Sequence, residues 1–159
     1  MIISKADIIR LAYITNIDEN LIKDDIIELV IHSYLIPILG EPFYVEISTN
    51  SVPYATLIDK YIHPFIAHWV KYLLYNHQLF ETAQYSTPDP SKAAEVIDPS
   101  IVTGIDPAIH RSILKNILFI ARQKEQLLIN HLNTGIYHLY TIQSKQRING
   151  FLISSLRED

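Results

Sequence analysis

The sequence predicts an all-α protein, a small helical bundle with a long irregular loop and a C-terminal extended arm or short hairpin. Apolar residues recur at helical spacing through most of the chain up to Asn133. Only four glycines occur in 159 residues, which suits regular secondary structure over loops that cradle phosphates. Prolines and short polar runs punctuate the periodic stretches and set the helix boundaries.

Taken in order, Ser4 is placed to cap a first helix through Ala12, because its hydroxyl can accept from the unpaired N–H groups of the first turn. A second helix follows Asp18 and runs to about Leu35. Ile22, Ile26, Leu29, Val30 and Tyr34 form its apolar side, with Asp24, Asp25, Glu28 and His32 opposite. Pro37 and Gly40 stop it, since proline excludes the helical conformation from the residue before it and glycine permits the positive φ of a turn. Pro42 opens a short helix over Phe43 to Ile47, ended by Ser48-Thr49-Asn50-Ser51.

From Pro53 a long pattern carries Leu57, Ile58, Tyr61, Ile62, Phe65, Ile66, Trp69, Val70, Leu73 and Leu74, with apolar groups on most sides. Such a helix belongs at the centre of a bundle. Pro64 cannot donate to the carbonyl of Lys60, so a kink or break is expected there, at about 3 kcal/mol if uncompensated. Between Thr82 and Pro107 the pattern fails, and residues 82–106 read as an irregular excursion of a length that is usually functional or disordered.

Asp106-Pro107 then starts a last helix, expected to run to about Asn133 with Gly135 as its stop. Its apolar stripe is Ile109, Ile113, Ile117, Ile120, Leu127 and Leu128, and Arg111, Lys115, Arg122, Gln126 and Asn130 line the other face. Phe119 interrupts that polar face. Residues 136–159 differ in kind from the helical domain of residues 1–135. Tyr137, Leu139 and Thr141 alternate with His138, Tyr140 and Ile142, and a polar stretch leads to Phe151-Leu152-Ile153. An arm or single hairpin of this kind is marginal alone in water, so it is expected to pack on its own bundle or on a partner.

The chain is long enough to bury a core without disulfides or a structural metal. Apolar residues make up 48% and charged residues 19%, so part of the apolar surplus is available for an interface. The absence of cysteine removes disulfides, thiol nucleophiles and thiolate metal sites together. The N-terminal residues lack the pattern of a secretory signal, and the densest apolar stretch, Tyr61 to Leu74, is too interrupted for a membrane span. The expectation is a soluble protein. A formal charge of -4 argues against a protein held on duplex DNA by many phosphate contacts.

Candidate chemistry is thin. Seven histidines occur, but His63 and His68 are five apart and point in different directions on a helix, unlike the i, i+4 pair of a zinc-protease helix. They read as surface or helix-boundary residues. Asp24, Asp25 and Glu28 read as a solvated face without converging oxygen ligands. Arg111, Lys115 and Arg122 match phosphates in principle, although solvation or ion pairing between subunits explains them better. No nucleophile elbow, phosphate loop or kinase signature occurs, so neither an enzyme, a cofactor nor a metal is expected. Ten tyrosines favour protein contacts, because tyrosine offers large area and a hydrogen-bonding tip at little entropic cost, although Tyr34, Tyr61 and Tyr72 can equally fill the bundle.

Tyr34-Leu35-Ile36-Pro37-Ile38-Leu39-Gly40, the following Pro42-Phe43-Tyr44, the segment Leu57-Ile58-Asp59-Lys60-Tyr61-Ile62-His63-Pro64-Phe65 and the closing Leu127-Leu128-Ile129-Asn130-His131-Leu132-Asn133 resemble head-tail connector (adaptor) proteins of tailed bacteriophages. The likeness covers roughly Ser4 to Asn133 and is nearest to versions from crAss-like and other Bacteroides phages. It implies a structural ring subunit, usually one of twelve, that sits between the portal protein and the next tail or connector ring. DNA would pass through the lumen without sequence-specific binding. The location implied is the virion, with assembly in the bacterial host cytoplasm.

On that reading the partner-binding candidates are Phe119, Tyr137, Tyr140, Phe151, Leu152 and Ile153. The tail after Gly135 aligns with no family pattern. Removing Ile136 to Asp159 is expected to leave a helical fold and impair assembly. The alternative is a small helical nucleic-acid-binding or regulatory protein that uses the face from Arg111 to Arg122.

Overall fold

The computed structural model describes residues 2–13, 17–85, 107–134, 136, 137 and 140, the side chains of 77–85 and of Pro107 excepted. These residues form an all-α bundle, with no strand among them. Helix α1 is Lys5–Ala12. The Ser4 hydroxyl accepts from the Asp7 N–H at 3.1 Å, and Arg10 pairs with the Asp7 carboxylate at 2.8 Å. The Ser4 hydroxyl and the Arg10 guanidinium hold the Asp7 carboxyl below its usual range.

Asp18 does act as a cap, but of a single 3-10 turn, Glu19–Leu21, through a bond from the Asn20 N–H. The second helix, α2, starts later, at Asp24, and runs to Leu39. Its buried residues are Ile27, Val30, Ile31, Leu35 and Leu39, while Leu29 is 51% exposed and Ile26 half-buried. The expected apolar stripe is therefore rotated. The buried side is the one that carries Ile27, Val30 and Ile31, and the π turn over Ile31–Leu35 resets the phase of the residues beyond it.

Pro37 does not end α2. Ile36 is helical at φ -59 and ψ -40, and the helix continues through the proline. A π turn over Ile31–Leu35 makes this possible, with the Ile36 N–H bonded to the Ile31 carbonyl. The same device stands before Pro64. Helix α4 comprises Ala55–Leu57, a π turn over Ile58–Ile62 and His63–Tyr85, and the His63 N–H bonds back to the Ile58 carbonyl. In each case the ladder widens by one residue just before the ring, where a regular α-turn would drive the ring into the carbonyl four residues back. The expected break at Pro64 is thus a local widening, and helix continues on both sides.

The stop after α2 is Gly40 alone, at φ 83 and ψ 144. Those angles lie where a Cβ is not tolerated without strain. Helix α3, Glu41–Thr49, leaves at 111° to α2. Its end is softened by Ser48 and Thr49, whose hydroxyls donate back to carbonyls of the preceding turn. A 3-10 turn, Val52–Tyr54, leads into α4. Helix α4 extends through Thr82 to Tyr85, so the first four residues of the expected loop are helical. Residues 86–106 lie outside the described part. The last helix, α5, is Pro107–Leu132, as its proline start predicts, and Gly135 is outside the description.

Helix α4 is the axis of the bundle, with its most extensive contacts to α1 and α5 and further contacts to α2. Trp69, Phe65, Ile62, Ile66 and Leu57 from α4 are buried together with Ile8, Ile27, Leu35, Leu39, Phe43 and Ile47. Each such side chain contributes about 1.5–3 kcal/mol relative to exposure. Lys71 of α4 ties down the C-terminus of α1: its Nζ donates to the Ala12 carbonyl at 2.7 Å and lies 4.9 Å from the Tyr13 ring centroid. Burial lowers the Lys71 pKa and raises that of Tyr13 to about 12.

The core extends past the end of α5. Tyr137 and Tyr140 both lie against Phe43, at ring separations of 5.7 and 6.4 Å, and Tyr140 is only 8% exposed. Two residues three apart meeting one ring is not the pattern of strict strand alternation. The described core therefore includes Tyr140, with Tyr137 packed against it. Among the described residues no single helix is long and apolar enough to cross a membrane.

Candidate interaction surface

Helix α5 has more apolar arc than its contact with α4 uses. The inner side carries His110, Ile117, Ala121, Leu128 and Leu132. Ile109, Ile120 and Leu127 of the predicted stripe are instead 54%, 39% and 52% exposed. At about 100° per residue these three fall within about 20° of one another, so they form one longitudinal row beside the buried face. Phe119 stands on a different side and is 62% exposed, as its place on the polar face foretold. The sequence stripe merged two rows that the packing separates.

The basic residues of α5 are not equivalent. Arg122 bonds Glu125 at 3.1 Å and lies 5.3 Å from the Trp69 ring centroid, with its side chain 62% exposed. Arg111 and Lys115 are exposed. The acidic residues of α2 are exposed, and Asp24 pairs with Lys5 at 3.1 Å. Among the described residues no group of three or more His, Cys, Asp or Glu side chains is placed to hold a metal ion.

His63, His110 and His131 are joints of the bundle near element ends, within the surface or helix-boundary placement expected of the histidines. The His63 Nε2 is 2.8 Å from the Ile2 carbonyl and its Nδ1 faces Asp59 at 3.5 Å, which fixes the chain before α1. His110 is buried and meets the Tyr75 hydroxyl at 3.0 Å. His131 stacks on Tyr61 with centroids 4.0 Å apart, and its Nε2 is 3.1 Å from the Tyr137 hydroxyl. His68 has its pKa pushed down to about 4 by burial, with Lys124 and Lys71 adding repulsion, so it is neutral near pH 7.

Tyr34 stacks on Trp69 at 4.1 Å and Tyr72 meets the same ring edge-on. With Tyr61 they serve the interior. Of the partner-binding candidates, Phe119 is free on the surface, Tyr137 and Tyr140 contact the chain's own core, and Phe151, Leu152 and Ile153 lie outside the described residues.

Sequence reasoning missed an open groove of about 570 Å³ between α3 and the start of α4. Tyr44, Ile47, Val52, Ala55 and Ile58 line it, and Asp59 stands at its rim with a side chain 71% exposed. Its only sequence signal is Val52, an apolar residue in a polar break. Comparison of the chain with family models, with curated proteins and with solved structures finds no significant match.

Proposed function

We propose that the chain is a structural head-tail connector subunit of a tailed phage, assembling as a ring between portal and tail and continuing the DNA channel. The observation that carries this reading is the outer surface of α5, where Ile109, Ile120, Leu127 and Phe119 are exposed among the described residues. Single exposed apolar residues are ordinary, but three in one row along a helix, with Phe119 exposed on another side, leave apolar area available for contacts. A ring requires such a surface, because each subunit needs two different faces that close by rotation.

The likeness of residues 34–44, 57–65 and 127–133 to phage connectors supports the same role. Those stretches supply structure: Pro37 and Pro64 with their π turns, the Gly40 corner and the His131–Tyr61 stack. They set the frame that would hold α5 outward. The ring is taken to have twelve subunits, with portal protein on one side and the next tail or connector ring on the other. The nucleic-acid alternative would use Arg111, Lys115 and Arg122, of which Arg122 is paired with Glu125 at the surface.

The test is the solution mass of the chain alone and with portal protein. A ring or a portal-bound assembly is the result anticipated. Replacing Phe119 and Ile120 by Asp should abolish that assembly and leave helix content unchanged, since both side chains are exposed.

A further inference from the structure

We propose that the groove between α3 and α4 receives the chain's own C-terminal segment, with Phe151-Leu152-Ile153 seated on its apolar wall. Val52, on that wall, is 84% exposed, more than any other large apolar side chain among the described residues. Nothing in the described part covers it.

The chain ends its described course beside this wall. Tyr137 lies 6.1 Å from Tyr54 and Tyr140 lies 6.4 Å from Phe43, ring centroid to centroid. Phe43 adjoins Tyr44, and Tyr54 stands between Val52 and Ala55, so the anchors and the groove share α3 and the turn after it. Residues 141–150 separate Tyr140 from Phe151, and ten residues reach at most about 35 Å when extended. That span covers the distance across a small bundle with slack, and the entropy of closing the loop grows only slowly with its length.

Charge agrees. Between Tyr140 and Phe151 the segment holds Lys145 and Arg147 and no acidic residue, while the groove rim presents Asp59. A tethered segment also meets its own groove at an effective concentration in the millimolar range, above that of a neighbour's arm at ordinary protein concentrations. The occupant is therefore the segment of the same copy. This docking goes beyond the connector reading and does not need a ring.

The absence of cysteine makes the test clean. In the full chain, Val52→Cys combined with Leu152→Cys should form a disulfide under mild oxidation at a rate independent of protein concentration. That rate should exceed tenfold the rate for Phe119→Cys with Leu152→Cys, because Phe119 does not line the groove. Adding Phe151→Asp and Ile153→Asp should reduce the first rate to the second. Equal rates for the two pairs, a product that joins two chains, or no effect of the aspartates would each overturn the proposal. A chain that assembles with portal but shows equal rates would lose this docking and keep the connector reading.

Discussion

Trp69 concentrates much of the packing in one side chain. It is 1% exposed, stacks on Tyr34, meets Tyr72 edge-on, and carries Arg122 over its ring. Its Nε1 has no hydrogen-bond partner among the described residues. Trp69→Ala should cost about 3–5 kcal/mol through the lost transfer energy and the cavity, measured by urea unfolding followed by circular dichroism. Trp69→Phe should cost much less, because it also removes the unsatisfied N–H.

His68 gives the molecule a pH dependence. Its folded pKa, about 4, lies below the ordinary 6.5, so the unfolded chain binds more protons between those values. Stability from this group is full above about pH 6.5 and is lost progressively as pH falls toward 4. Unfolding midpoints across that range should flatten in His68→Gln relative to the parent chain.

At the scale of elements, the two proline turns and Gly40 define the path of the chain. Because each π turn has already rearranged the ladder, Pro64→Ala should change stability by under about 1 kcal/mol, rather than recovering the roughly 3 kcal/mol of an uncompensated proline. Gly40→Ala should cost about 1–3 kcal/mol, since its φ of 83 and ψ of 144 admit no Cβ cheaply. Both are read from thermal or urea unfolding.

The elements show how far the sequence could be followed. Local signals were faithful where the chemistry was local: the Ser4 cap, the Gly40 stop and the Pro107 start each stand where the residue type demands. Periodicity erred by a fraction of a turn in α2, because apolar residues at 26, 27, 29, 30 and 31 leave more than one face apolar and only the packing chooses Ile27 over Leu29. Proline rules misjudged Ile36 and His63, since a π turn is chosen by the packing around it. The histidine joints and the groove were illegible because their partners lie far away in sequence, as His63 and Ile2 do.

Among the described residues, Tyr137 and Tyr140 pack on the core and one face of α5 stays exposed. Deleting 141–159 should leave the helical fold intact, whereas deleting 136–159 also strips Tyr137 and Tyr140 from Phe43 and Tyr54 and should destabilise it by several kcal/mol, on the order of a large aromatic truncation. Circular dichroism melts of the two truncations compare them directly.

The central claim is that the exposed row and Phe119 on α5 serve contacts between subunits. Native mass spectrometry of the full chain with portal protein tests it most directly. The connector account predicts a closed oligomer or a portal-bound assembly that Phe119→Asp with Ile120→Asp abolishes. A chain that stays monomeric beside portal protein at every concentration, or that assembles equally well with both aspartates in place, contradicts it.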